Sequence, residues 1–417
     1  MSKQLIVIGG GAAGFFCAVN AARLNPHLKV TVLEKTSKLL AKVKISGGGR
    51  CNLTHACYDI GEMSKNYPRG DKFVKKTFHH FFVSDTIKWF EERGVRLKAE
   101  EDGRMFPVTD SSQTVMDCLI REAAKYKVEI ITNAEVKNVM AKAKRFDVLF
   151  YDSRSASPAK TGKLLTADYL CIATGGYPKS SMFNWLVELG HTIEEPVPSL
   201  FTFNLPGNPI TRLMGVSIPN ARVKIVGTKL EQQGPLLITH WGMSGPAILR
   251  LSAWGARELK DRNWEFIISV NWLAELTEQQ LAERFRTFRF EFASQKMGNK
   301  NPFALPQRLW EYLLDQSGVN KEKRWADLPA KEQNKLVKNL CAAEFAVKGK
   351  TTFKEEFVTA GGIRLNEVDA NTLMSKIIPH LFFAGEVLNV DGITGGFNFQ
   401  HAWTSGYIAA KSIAALA

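Results

Sequence analysis

The chain has 417 residues, 45% hydrophobic and 23% charged, a globular composition that excludes a disordered or fibrous chain and predicts two or three domains of about 100–200 residues. Its formal net charge of +14 exceeds what a metabolic enzyme needs, and the excess is concentrated in a few segments. No apolar stretch approaches the roughly 20 residues of a membrane helix, and the 6 cysteines lack the CxxC spacing of a zinc site or disulfide scaffold.

The first strand is predicted at Lys3 to Ile8 and the first helix at Ala12 to Leu24. No signal peptide fits before such an early strand, so a cytoplasmic location is expected. Gly9-x-Gly11-x-x-Gly14 falls at the strand-to-helix turn, where Gly9 permits the bend, Gly11 lets the backbone approach a diphosphate and Gly14 allows close packing. The helix dipole and free N–H groups favour that diphosphate. A second strand, Leu28 to Leu33, ends at Glu34, about 20 residues past the glycines, where an acid accepts hydrogen bonds from ribose hydroxyls. Ser46-Gly47-Gly48-Gly49-Arg50-Cys51-Asn52 is too glycine-rich for a regular element and is predicted to be a loop pressed against a ligand.

Phe73 to Gly94 and Ser112 to Tyr126 are predicted helices, the latter with Val115, Leu119, Ile120 and Ala123 on its apolar face. Asp102 to Pro107 is predicted as a turn and short strand between them. Beyond Val128 the period becomes two, giving strands at Glu135 to Met140, Arg145 to Tyr151 and Ala167 to Ile172 that form a small meander. It ends at Ala173-Thr174-Gly175-Gly176, which returns the chain to the dinucleotide fold. Strands at Ala221 to Val226, Leu236 to Thr239 and Trp264 to Val270 mark a second, mostly β domain; Leu276 to Phe345 is predicted to be largely helical, broken around Pro302 and Pro306. Leu381 to Ala384 is a buried strand and Phe399 to Leu416 a closing helix.

Gly385, Glu386, Asp391, Gly395 and Gly396 thus form a second glycine-and-acid cluster at the far end of the chain, as expected if one long cofactor, FAD, is held from two places. Gly395 and Gly396 precede the closing helix, whose first amides suit the electron-rich pyrimidine edge of a flavin. Glu386 and Asp391 are read as ligands of cofactor hydroxyls. The fold class is α/β, with a discontinuous Rossmann-type FAD-binding domain in residues 1–195 and 351–417 and an insertion expected to cap the flavin.

Three basic segments stand out: Lys35, Lys38, Lys42, Lys44 and Arg50; Lys65, Arg69, Lys72, Lys75 and Lys76, opposed only by Asp71; and Arg284 to Lys350, including Lys321, Lys323, Arg324, Lys331, Lys335 and Lys338. Each is either a solvated face or part of a polyanion surface; three together point to nucleic acid. Cys51 follows the glycine loop in a basic setting that lowers a thiol pKa, and is a proton donor, a nucleophile or a small packing residue. Arg50 is either a phosphate ligand or the partner of an acid. His240 and His401 are possible acids, with a packing role the alternative.

The set Gly9 to Gly14, Ser46 to Asn52, Ala173 to Gly176, Thr239-His240-Trp241-Gly242-Met243-Ser244-Gly245-Pro246 and Ala384 to Asn398 resembles the YhiN or BaiN-like (aminoacetone oxidase-like) bacterial flavoproteins over nearly the whole chain. The resemblance implies FAD, NADH or NADPH as electron donor, and a three-part architecture with a β-barrel-like insert in residues 196–275 and a helical insert in 276–350. It also implies activities ranging from amine oxidation and steroid double-bond reduction to dihydrouridine formation in large-subunit ribosomal RNA. The chain departs at Phe399-Gln400-His401, where Leu-Gln-Trp is a common form of the group. The residues expected to hold FAD are Gly9, Gly11, Ala13, Gly14, Glu34, Lys35, Ser46, Arg50, Asn52, Val136, Thr174, Gly175, Gly385, Glu386, Asp391, Gly395, Gly396, Phe397 and Asn398. Cys51, His240 and His401 are the catalytic candidates, and Lys72, Lys75 and Lys76 the expected contacts to ribosomal RNA. No membrane or metal partner is expected, and the oligomeric state is open.

Overall fold

Alternating burial is absent from the first strand because both its faces are covered, which is why Leu5 to Ile8 is an unbroken apolar run. In the computed structural model, which describes residues 2–143, 145–152, 154, 162–351 and 358–417, five strands build a parallel sheet. They are β1 (Gln4–Ile8), β2 (Lys29–Leu33), β3 (Glu129–Ile131), β4 (Tyr169–Ile172) and β5 (Leu381–Phe383), in the order β5-β4-β1-β2-β3. Ile8 is in register with Leu33 on one side and Ile172 on the other, and Ile172 with Phe383, so the carboxyl ends of the strands form one edge. The chain leaves β1 for β2 on one side while β4 lies on the other, so the crevice beyond β1 and β4 is a topological switch point, where ligands bind in such sheets.

Helix α1 (Ala12–Leu24) is buried along almost its whole length, from Ala13 to Ala22, as expected of a helix apolar on all sides. It packs against the closing helix, Phe397–Leu416, and against the sheet. Its one buried amide, Asn20, is satisfied by donating to the Phe16 carbonyl at 2.8 Å and accepting from the Trp89 indole at 2.9 Å.

The chain folds as two units, Met1–Pro198 with Lys354–Ala417, and Ser199–Phe353. The meander of the first unit is antiparallel, Ala134–Lys142 with Arg145–Asp152 with Lys163–Ala167. The predicted strand Ala167 to Ile172 is therefore two: the chain ends the meander at Ala167 and re-enters the parallel sheet as β4. The predicted helix Phe73 to Gly94 is also two, α3 (Asp71–Thr77) and α4 (Val83–Glu91), after α2 (Ala41–Gly49). The break falls where the Asp85 carboxylate accepts from the Phe82 N–H at 2.8 Å and caps a new helix. In α5 (Ser112–Lys125) Val115, Leu119 and Ala123 are buried as predicted, but Ile120 points outward and Cys118 and Met116 complete the face.

The second unit holds a seven-stranded sheet and three long helices, Glu278–Glu291, Gln307–Ser317 and Ala330–Cys341. The predicted helical stretch ends early, because Ala343–Lys348 is a strand whose residues alternate buried and exposed. This strand pairs with Glu265–Asn271 at one edge of the sheet, and the chain bends at Gly349 (φ +82°) so that Lys350–Thr351 pairs with Thr202–Asn204 at the other. One bent segment thus supplies the strands at both ends of the sheet order.

Candidate cofactor site

The three fingerprint glycines do different work. A Cβ on Gly9 (φ +116°) would sit 2.3 Å from the Ala173 carbonyl oxygen, and one on Gly14 would sit 1.9 Å from the Gly9 carbonyl oxygen, so both are demanded by backbone packing. Gly11 has no atom within 4 Å of its Cβ position. Its open side faces away from protein, at the mouth of a helix whose first turn carries no acid and no side-chain cap. The first amides of α1 have no intrahelical acceptor, and an anion is what satisfies such a terminus. At the end of β2 the Glu34 carboxylate accepts from the N–H of Gly10 at 2.8 Å and of Thr36 at 2.9 Å, which fixes it while leaving lone pairs for hydroxyl donors. Lys35 pairs with Glu135 at 3.0 Å next to half-buried Val136, and Gly175 (φ +75°), after Thr174, also has an open Cβ position.

The C-terminal cluster meets this turn. A Cβ on Gly385 (φ +74°) would lie 2.8 Å from the Cβ of Ala13, so the second cluster abuts the first turn of α1. Glu386 accepts from the Thr359 N–H at 2.8 Å and from Lys42 at 2.6 Å. Asp391 is fully buried and gripped by two N–H groups of the Arg69 guanidinium. Gly392 and Asn398 exchange two hydrogen bonds of 2.8 Å, which closes the loop before the last helix. His55 Nδ1 lies 2.9 Å from the Gly395 carbonyl and its ring stacks on Phe397, whose carbonyl accepts from Tyr67 at 2.6 Å. Gly396 (φ +94°) caps the helix because a Cβ there would be 2.4 Å from the Thr54 carbonyl oxygen. Asn52, in the amide orientation that satisfies both partners, donates to that carbonyl and accepts from the Gly396 N–H at 3.0 Å.

The Ser46 to Asn52 segment is the predicted loop, although a short helix leads into it: Ser46, Gly47 and Gly48 depart from helical geometry, and Gly48 and Gly49 have nothing within 4 Å of their Cβ positions. Arg50 pairs with Glu100 at 2.6 Å and lies over the Phe106 ring at 4.0 Å, so its charge is turned to an acid of the same unit. Cys51 is fully buried in a left-handed conformation (φ +63°). The expectation of a lowered thiol pKa is overturned: burial pushes it up to about 12, because the apolar surroundings penalise a thiolate. His401 is also buried, and desolvation brings its pKa down to about 4. At neutral pH it is uncharged, with Nε2 facing the Gly385 carbonyl at 3.3 Å. His240 is exposed in the second unit, its ring edge against Trp241. Lys72, Lys75 and Lys76 stand exposed on α3 with no ion pair among the described residues.

His55, Tyr67, Arg69, Lys42 and Thr359 escaped the sequence reading as parts of this site. None belongs to a local motif; Arg69 meets Asp391 across 322 positions of chain. Among the described residues no group of His, Cys, Asp and Glu is arranged to hold a metal.

A family model described as the HI0933-like protein Rossmann domain matches residues 3–412. The chain belongs to the HI0933-like family. This bears out the resemblance seen in its motifs. Among relatives of this HI0933-like chain, a 3-dehydro-bile acid delta(4,6)-reductase of Clostridium scindens is 27% identical over 429 residues, 99% of each protein. A ribosomal RNA dihydrouridine synthase of Haemophilus influenzae is 28% identical over 419 residues, covering 99% of this chain and 98% of that one. The fold is like that of a 3-ketosteroid-delta4-(5alpha)-dehydrogenase from Rhodococcus jostii RHA1, with a TM-score of 0.52 at 14% identity over 99% of this chain and 97% of that one.

Proposed function

We propose that the protein is an FAD-dependent oxidoreductase that saturates a carbon–carbon double bond conjugated to a carbonyl, with NADH or NADPH as electron donor. Its substrate in this reading is a uridine of large-subunit ribosomal RNA, converted to dihydrouridine. The observation that carries the cofactor assignment is the contact of the two glycine clusters, Gly385 against Ala13, beside an open Gly11. In this reading Gly9, Gly11, Ala13 and Gly14 border the diphosphate and Glu34 takes ribose hydroxyls. Lys35, Val136, Thr174 and Gly175 lie along the nucleotide end. Ser46, Arg50 and Asn52, with Gly385, Glu386, Asp391, Gly395, Gly396, Phe397 and Asn398, frame the flavin end. Arg69 and His55 position that last loop. A bound flavin supplies the reducing equivalents.

The names of the two relatives favour a common chemistry. A 3-oxo steroid with unsaturation at C4 and a uracil both carry a double bond in conjugation with a carbonyl, and reduction of either adds hydride at the β-carbon and a proton at the α-carbon. This chain's part in the second event is a proton donor. Cys51 stays protonated throughout the neutral range, which is the form a donor needs, although a pKa so far above 7 limits its efficiency. The exposed lysines of α3 favour RNA over a steroid, since phosphates have a use for unpaired cations. The small-molecule reading rests on the Clostridium relative, which matches along the same full length. Mass spectrometry of ribosomal RNA from cells with and without this protein tests the choice: loss of one dihydrouridine on deletion is the expected result, and an unchanged RNA assigns a small unsaturated carbonyl substrate.

A further inference from the structure

The third basic segment, Arg284 to Lys350, lies outside the cofactor site and apart from the lysines of α3, and the structure sorts the six cations singled out in its sequence into two classes. Lys321 pairs with Glu311, Lys323 with Glu332 at 2.6 Å, and Arg324 with Asp327 at 2.8 Å. Lys331, Lys335 and Lys338 are exposed, and their ammonium groups have no ion pair or hydrogen bond among the described residues. They occupy positions i, i+4 and i+7 of the helix Ala330–Cys341, which puts them on one face, opposite the buried Leu336, Val337 and Leu340. The helix's only acid, Glu332, is spent on Lys323. Like charges at i,i+4 repel, so such a ridge costs stability unless a partner uses it.

We propose that this ridge is a second phosphate-binding surface for RNA, in the unit that does not carry the cofactor motifs. The inference rests on the RNA reading above. Charge complementarity selects a polyanion: the chain carries a formal net charge of +14, and at about 1.5 Å of rise per residue the ridge sets its three cations within about 10 Å. Duplex nucleic acid offers a charge about every 1.7 Å of axis, so several phosphates fall within the length of the ridge. Lysines hold phosphates without reading sequence, which is what a large substrate needs from a surface that takes no part in the chemistry.

The test is the salt dependence of binding to protein-free large-subunit ribosomal RNA, measured for the flavin-loaded protein between about 50 and 200 mM salt. Replacing Lys331, Lys335 and Lys338 together by Ala is expected to lower the slope of log K against log salt by about 2, from roughly 0.7–0.9 per phosphate contact. The triple Lys→Arg protein should keep the wild-type slope. A wild-type slope in the Ala protein, with wild-type RNA binding strongly salt-dependent, overturns the ridge and leaves the RNA reading intact. Salt-independent or absent RNA binding by the wild type overturns both. Loss of polyglutamate binding in the Ala protein with RNA binding unchanged assigns the ridge to an acidic protein and likewise overturns the inference.

Discussion

Cys51 and His401 show how burial decides what a titratable side chain can do. The thiol held up at about 12 does not form a nucleophilic thiolate near neutrality. Cys51→Ala separates donor from packing residue: if the thiol protonates the substrate, the variant keeps its flavin and its reduction by NAD(P)H, while turnover falls by about 100-fold or more. Equal turnover in stopped-flow and steady-state assays returns Cys51 to packing and moves the search to His240. His401 has the opposite displacement, from about 6.5 in an unfolded chain to about 4 in the fold. The unfolded state binds the extra proton between those values, so stability is complete above pH 6.5 and falls by up to about 3 kcal/mol as pH drops to 4. His401→Gln is expected to flatten that acid limb in urea titrations; an unchanged limb would show that the imidazole is not held neutral.

Among the elements, the N-terminal turn and the loop before the closing helix make separable predictions. Gly11→Val adds a side chain that meets no protein atom within 4 Å at its Cβ, so circular dichroism should stay near wild type while bound flavin is lost. Retention of one FAD per chain in that variant overturns the diphosphate assignment. Gly14→Ala, whose Cβ collides with the Gly9 carbonyl, should instead unfold the turn itself. Arg69→Ala removes two guanidinium N–H bonds from the buried Asp391 carboxylate and is expected to cost about 3–5 kcal/mol in denaturant unfolding. A loss below 1 kcal/mol would mean that the Asp391 carboxylate is protonated or solvated.

The same elements show what the sequence can display. The turn at Gly9–Gly14, Glu34 and the closing strand are local signals: an apolar run, glycines at fixed offsets, an acid at a strand end. Ala343–Lys348 carried an equally local period of two that the helical composition before it concealed. The break between α3 and α4 was hidden for another reason, since Phe78, Phe81 and Phe82 carry the apolar pattern across the gap while a single carboxylate restarts the helix. The Arg69–Asp391 pair and the His55–Gly395 contact exist only once the chain has folded, and no spacing rule reaches across them.

For the whole molecule, charge is the property most open to test. Replacing Lys72, Lys75 and Lys76 by Ala should weaken binding to large-subunit RNA and reduce its salt slope by about 2; an affinity indifferent to both salt and substitution would favour the small-molecule reading. The discontinuity of the first unit matters in a different currency, that of time. Strand β4 pairs with β5, Ile172 with Phe383, and the entire second unit is encoded between them. At about 5–20 residues per second a ribosome needs roughly 10–40 s to make that stretch. Throughout that interval β4 presents an unpaired edge, and α1 lacks the closing helix that buries it. The nascent first half is thus a candidate for chaperone custody, and flavin capture belongs to the last moments of synthesis.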